Sequence, residues 1–374
     1  MSSVQPTALL SVHEAHDARL VDFAGYKMPL QYPAGIIAEH LHTRAKASLF
    51  DVSHMGQVLL NGPQADAALE SLTCADLSSL RPGRVRYSLL MNEAGGIIDD
   101  LMVTRLSDGA LHLVLNASRK AVDVEHLEAA CADRDAVLER LDSHALIALQ
   151  GPAAGDVLAD LVPESTDLSF MDSAAATYEG ASTMVSRCGY TGEDGFEISI
   201  PNAQAGALAE AILAHQDVMP AGLGARDSLR LEAGLCLYGN DIDEDTTPVQ
   251  AGLTFALGKR RKLERDFPGA QRVMTQLEDG FDRCRVGLLI DGRRPVRAGA
   301  AVLAADGAPV GTVTSGGYSP TLERPIAMAY VQRDASLDGL ELHVDVRGQS
   351  IPAQVTPLPF VPQRYRRRDA QRHS

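Results

Sequence analysis

The sequence predicts an α+β fold that ends in a β-rich unit. Three observations carry that prediction. Residues 84–106 hold two extended runs around Asn92–Gly96 (NEAGG), the signature of an antiparallel hairpin. Helix-forming runs flank the extended segments as far as Ala233, which suits antiparallel strands with helices packed on one side. From about Phe281 the segments are short and separated by turns at Asp291–Gly292, Asp306–Gly307, Asp338–Gly339 and Arg347–Gly348, a pattern of small barrels and sandwiches. The expected organisation is an α+β region over residues 1–265, of two intertwined subdomains, and a β-barrel domain over residues 280–365.

Taken in order, an amphipathic start leads to a loop at Asp22–Pro33, and Ile36–Phe50 reads as a helix rich in histidine and basic residues. Asp51–Gly56 turns into a strand at Gln57–Leu60, and Pro63–Cys74 reads as a helix with proline in its first turn. Arg84–Met91 alternates, with Val85, Tyr87 and Leu89 on one face, and Ile97–Leu106 returns beside it. A strand at Ala110–Asn116 and a helix at Ser118–Asp133 complete this unit. After Gly151–Pro152 come a helix, an extended run at Ser182–Arg187, a glycine-rich turn, a strand at Phe196–Ile200, and helices at Ala203–His215 and Ala225–Ala233. Lys259–Gln276 reads as a charged linker.

Composition narrows the function classes. Hydrophobic content of 45% and charged content of 22% are those of an ordinary globular protein. The net charge of −15 speaks against nucleic acid as the main partner. No run approaches the roughly 18 apolar residues that span a bilayer, and Met1–Leu10 lacks the pattern of a targeting segment. Five scattered cysteines with no C-x-x-C pair fit a reducing compartment, and the cytoplasm is the expected one. Basic clusters at Lys259–Lys262, Arg293–Arg297 and Arg364–Arg368 suit either solvated faces or the docking of an acidic partner.

The chemistry-bearing residues gather in a few motifs. Arg187–Glu197 (RCGYTGEDGFE) puts three glycines and three acids between two extended runs. Gly189, Gly192 and Gly195 permit positive φ and close approach. The Tyr190 ring beside the Glu197 carboxylate would suit a flat, amine-rich heterocycle, although a hairpin with solvated acids has the same composition. Asp99 and Asp100 start the returning hairpin strand, and successive strand side chains point to opposite faces. One acid therefore faces a cavity and the other does not, and pattern alone leaves the choice open. Arg226 and Arg230 share a helix face and form either a carboxylate clamp or, with Asp227 and Glu232, a structural network. Dinucleotide and phosphate-loop motifs fail, because Asp227 and Arg260 stand at positions those motifs reserve for glycine and for Ser or Thr. His40 and His42, about 200° apart on a helix, do not share an ion, so no metal is expected.

Seven blocks in order over nearly the whole chain resemble the glycine cleavage T-protein (aminomethyltransferase) family: DFAGYKMPLQY (Asp22–Tyr32), FDVSHMG (Phe50–Gly56), GGIIDDLMV (Gly95–Val103), GYTGEDGFE (Gly189–Glu197), GLGARDSLRLEAGLCLYG (Gly222–Gly239), TSGGYSPTL (Thr314–Leu322) and PFVP (Pro359–Pro362). The resemblance implies a three-domain cloverleaf with tetrahydrofolate bound in a central channel. It implies transfer of a one-carbon unit from the aminomethylated lipoyl arm of the H carrier protein to tetrahydrofolate, with release of ammonia. It makes Asp100 the catalytic aspartate, Glu197 the carboxylate that grips the pterin N–H edge, and Met55, Tyr87, Asn116 and Tyr190 the folate-pocket lining. Arg226 would lie near the folate glutamate tail, Tyr365 would close over the folate, and Arg297 would stand beside the lipoyl-arm entrance. The chain departs from the family at Tyr26, where tryptophan is usual. Rival readings are a folate-binding relative that assists iron–sulfur proteins and the folate domain of flavin-linked oxidases. The acid pair, the C-terminal unit and the missing dinucleotide fingerprint favour the transferase.

Overall fold

A computed structural model describes residues 4–368. Met1–Ser3, which open the expected first region, lie outside the described residues. The hairpin forms as expected. Strands Arg84–Met91 and Ile97–Arg105 pair antiparallel, with Leu90 opposite Asp99 and Leu89 opposite Asp100. The Asn92 side chain closes the turn by accepting the Gly96 N–H at 2.8 Å. Strands Leu111–Leu115, Gly56–Asn61 and Val137–Arg140 extend this into a five-stranded antiparallel sheet. The helices Ala65–Glu70 and Lys120–Cys131 cover one face, burying Leu69 and Leu127 against Leu60, Leu101, Val103 and Leu113. Each such fully buried side chain contributes roughly 1.5–3 kcal/mol.

The second sheet has six strands: Ser173–Tyr178, Ala181–Ser186, Gly195–Pro201, His144–Gln150, Ala47–Asp51 and Val218–Pro220, in that spatial order. Here the helix expected over Ile36–Phe50 is corrected. It spans Ile36–Ala45, and Ala47–Asp51 is a strand buried along its whole length. That strand pairs antiparallel with His144–Gln150 and parallel with Val218–Pro220, so partners distant in sequence override the local helical reading. The expected loop at Asp22–Pro33 is also corrected, because strands Arg19–Phe23 and Tyr26–Gln31 form a hairpin there.

The C-terminal unit is a closed six-stranded barrel built from Arg283–Ile290, Ala301–Leu303, Pro309–Ser319, Arg324–Gln332, Glu341–Val346 and Gln349–Thr356. Its core holds Leu288, Ile290, Val302, Val313, Ala329 and Val344. The segment expected to be a linker folds into helices Lys259–Glu264 and Ala270–Asp279. Val273 and Met274 bury one face of the latter against Ile97, Val249 and Phe267, which supplies the packing that a linker reading omits.

Candidate active site

A cavity of about 2080 Å³ lies between the two sheets and the barrel. Its wall includes Met55, Tyr87, Asp100, Asn116, Tyr190, Glu197, Arg226, Arg297 and Tyr365, so the structure brings to one space every residue to which the family resemblance gives a role. The glycine-rich turn is shaped more by packing than by a ligand. Gly192 is left-handed at φ 78°, whereas Gly189 lies against the buried Gln150 amide and a Cβ there would stand 1.9 Å from its Oε1. Gly189 also lies in the cavity wall, so it is held between Gln150 and the cavity. Two of the three acids in the turn are committed to ion pairs. Glu193 binds Arg44 and Arg364, each at 2.6 Å, and Asp194 pairs with Arg187. Glu197 faces the cavity, and its hydrogen-bond donor among the described residues is the Cys188 thiol at 3.6 Å. Burial pushes the Glu197 carboxyl up, and Arg226 pulls it back. Burial and the neighbouring Glu197 push the Cys188 thiol well up, which leaves it a neutral donor rather than a nucleophile.

The structure resolves the choice within the acid pair. Asp99 is fully buried beneath the helix Lys120–Cys131, while Asp100 is half-buried and lines the cavity. Asn116 holds both. Its side-chain Nδ2 donates to Asp100 Oδ1 at 2.7 Å and to Asp99 Oδ1 at 3.0 Å, and its backbone N–H donates to Asp99 Oδ2 at 3.2 Å. Burial and the adjacent Asp99 charge push Asp100 up to about 7, against hydrogen bonding from Tyr87 and Asn116. A carboxylate with that proton affinity, held in one orientation inside a cavity, is suited to general acid–base work near neutral pH.

Around this pair the walls are aromatic. The Tyr87 ring stands 5.8 Å from Phe255, and the Tyr190 hydroxyl donates to the Cys236 carbonyl. Tyr365 stacks on Phe170 at 3.9 Å with the ring planes 7° apart. The Arg226 guanidinium lies 4.8 Å from the Tyr190 ring centroid, and its Nη1 is buried with no partner among the described residues. Its charge acts chiefly on Glu197, so it stands at the Glu197 end of the cavity. Arg230, its candidate partner in a clamp, instead pairs with Asp227 and Asp241, each at 2.8 Å. Met55 packs beside Phe50, Val52 and Val114. Arg297 is exposed at the cavity rim. Four residues of the basic clusters are ion-paired, Arg260 with Glu70 and Glu264, Arg261 with Asp266, Arg364 with Glu193 and Arg368 with Asp172.

Sequence reasoning missed Phe170, Phe255 and Asp123. Phe170 and Phe255 lie in stretches without periodicity, and Asp123 has the composition of an ordinary exposed helix acid.

Residues 9–261 match the family model described as the GCVT N-terminal domain, and residues 283–362 match that of the glycine cleavage T-protein C-terminal barrel domain. The mitochondrial aminomethyltransferase of Gallus gallus is 49% identical over 369 residues, covering 97% of this chain and 94% of that protein. The mitochondrial aminomethyltransferase of Homo sapiens is 48% identical over 366 residues, covering 96% and 90%. The crystal structure of glycine cleavage system aminomethyltransferase T from Bartonella henselae has a TM-score of 0.93 to this fold at 44% identity, covering 98% of this chain and 100% of that one. Two family models matched in chain order, relatives that similar along almost the full length and a shared fold lead to one conclusion: this chain belongs to the glycine cleavage T-protein family.

Proposed function

We propose that the protein is a tetrahydrofolate-dependent aminomethyltransferase of the glycine cleavage system. In this reading it moves the one-carbon unit of an aminomethylated lipoyl arm on the H carrier protein to tetrahydrofolate, giving methylenetetrahydrofolate and ammonia. The observation that carries the reading is the cavity's pattern of unmet hydrogen-bonding capacity beside a poised carboxylate. Glu197 has acceptor oxygens without N–H donors, the Arg226 Nη1 lacks an acceptor, and the Tyr190 ring lies beside them. A flat heterocycle with adjacent N–H groups and an acceptor satisfies all three. The rival readings gain nothing from the relatives, whose names are those of aminomethyltransferases.

Tetrahydrofolate supplies the amine that receives the carbon unit, and the chain's own residues bind it, orient it and take its proton. Glu197 accepts paired N–H bonds, Tyr190 and Tyr87 flank the ring, and Met55 lies in the apolar wall. Arg226, which lies beside the Tyr190 ring, offers its unpartnered Nη1 to the folate. Asn116 fixes the Asp100 carboxylate, which takes the proton that the attacking amine loses. Typical general-base assistance is ~10²–10⁴-fold, and holding both substrates together adds more. Tyr365 closes over the folate, and Arg297 stands at the lipoyl-arm entrance. The proposed step calls for no metal. We further propose the division into residues 1–265 and a barrel domain at 280–365, and a cytoplasmic location. The free thiols suit any reducing compartment, and the relatives above are named mitochondrial. No helix among the described residues is long and apolar enough to cross a membrane.

The test is an assay of purified protein with aminomethyl-lipoylated carrier protein, following ammonia and methylenetetrahydrofolate with and without tetrahydrofolate. Folate-dependent appearance of both products is expected. Folate binding with neither product would instead favour a non-catalytic folate-binding relative.

A further inference from the structure

Asp123 is a buried acid with no part in the proposed transfer step and, unlike the other buried carboxylates near the cavity, no donor of its own. It lies on the helix Lys120–Cys131, is 0% exposed, and neither of its carboxyl oxygens has an N–H or O–H partner among the described hydrogen bonds. The helix start is tied to the strand beside it by Asn116, whose N–H donates to Asp99, and by Arg119, which donates to the Ile98 carbonyl, and the acid that acts most on Asp123 is Asp99, itself 0% exposed. Two ionised carboxylates do not share a dry site, so the pair must hold a proton. Asp99 is the member that keeps the charge, because two N–H groups of Asn116 point at it and none points at Asp123.

We propose that Asp123 is held as a neutral carboxylic acid that donates its proton to Asp99, and that it thereby acts as a positioning residue for Asp100. The proposal rests on the reading of Asp100 as the base. The line of contact runs from Asp123 through Asp99 and the Asn116 amide to Asp100 Oδ1. As long as Asp123 supplies the donor, Asp99 remains an anion, and its charge keeps the proton affinity of Asp100 high. The other charged groups nearby do not replace that proton. Arg119 donates to the Ile98 carbonyl at 3.0 Å, pairs with Glu244 at 2.7 Å and lies over the Tyr238 ring. Tyr238 itself donates to the Ile97 carbonyl. Burial and the Asp99 charge push Asp123 up to about 10, consistent with a neutral acid across the working range.

Two readouts test this. Difference infrared spectroscopy at pH 8 is expected to show a protonated-carboxyl band in the native and Asp100→Asn proteins that is absent from Asp123→Asn. A native protein without that band would overturn the proposal, whatever the fate of the function reading. The second readout is the pH profile of kcat. Asp123→Asn keeps an N–H donor for Asp99 and is expected to retain the native acid limb. Asp123→Ala removes the donor, so Asp99 takes up the proton itself and Asp100 stays ionised to lower pH. The acid limb then moves down by about one pH unit or more, with KM for tetrahydrofolate little changed. A shifted limb in Asp123→Asn would mean that the native residue is charged, and an unshifted limb in folded Asp123→Ala would mean that it does not act on Asp100. Either result would overturn the proposal. If Asp123→Ala fails to fold, the infrared band and Asp123→Asn still decide. If Asp100→Asn turns over normally, the function reading fails while the infrared result stands on its own.

Discussion

Glu197 has two carboxylate oxygens and, among the described residues, one weak donor, the Cys188 thiol, so most of its accepting capacity is left for a ligand. Charge-assisted hydrogen bonds are worth about 1.5–3 kcal/mol each. Glu197→Ala is therefore expected to weaken tetrahydrofolate binding by about tenfold or more, read as a dissociation constant by titration calorimetry. An unchanged constant would remove Glu197 from the pterin assignment. Much of the site is legible at this scale, because Asp99–Asp100, Tyr190 and Glu197 sit in short motifs whose chemistry can be stated residue by residue. What stays illegible from pattern alone, and is chosen only by the family resemblance, is which acid of the pair faces the cavity. Strand alternation separates Asp99 from Asp100, but the helix that covers Asp99 begins about twenty residues later, and only the fold brings it there.

At the scale of elements, the hairpin that carries Asp100 is held by close backbone contact as well as by its turn. A Cβ on Gly96 would stand 1.7 Å from the Glu244 carbonyl oxygen and 2.4 Å from its carbon, atoms that cannot rotate aside. Gly96→Ala must therefore displace the Asp243–Glu244 segment, whose Asp243 carbonyl accepts the Ile97 N–H at 3.0 Å. The expected cost is about 1–3 kcal/mol in a denaturant unfolding curve, together with reduced turnover from the shifted Asp100. The turn itself is readable, since NEAGG between alternating runs has a local cause. The strand Ala47–Asp51 is not readable, because ASLFD follows a good helix and its strand partners lie about a hundred or more residues away. The helices at 259–279 escape for a related reason: their charge pattern suggests solvent, while Ala270, Val273 and Met274 anchor the second to a distant core and the buried Arg261 ties the first to the Glu70 and Thr73 carbonyls.

For the whole molecule, the lobes are joined around Glu232, a fully buried carboxylate. It accepts from Arg44 at 2.8 Å, from Ser319 at 2.5 Å and from Thr321 at 2.8 Å, and it contacts His40 at 3.1 Å. These partners come from the helix Ile36–Ala45 and from the barrel, so Glu232 ties three parts of the chain together. Removing one member of such a buried network is expected to cost about 3–5 kcal/mol, and Glu232→Ala should show that loss in equilibrium unfolding. Those partners hold the Glu232 carboxyl down at about 2. Its contribution is therefore present above the ordinary glutamate range and is lost as pH falls toward about 2. Asp100 has the opposite sign. Its folded-state proton affinity is raised, so its contribution to stability is present at low pH and lost as pH rises through about 7. Asp100→Asn should thus be more stable than the native protein above pH 7, with a smaller gap at pH 5 that closes only toward the ordinary aspartate range of ~4, as thermal unfolding at the two pH values will show.

The central claim is that Asp100, half-buried beside a second carboxylate, moves the proton in the transfer step. The most direct test is the pH dependence of the single-turnover rate with aminomethylated carrier protein and tetrahydrofolate, in the native protein and in Asp100→Asn. The account predicts a native rate that falls below an apparent pKa near 7, and a variant at least about tenfold slower whose rate no longer follows that ionisation. A variant that turns over at the native rate with the native pH profile would contradict it.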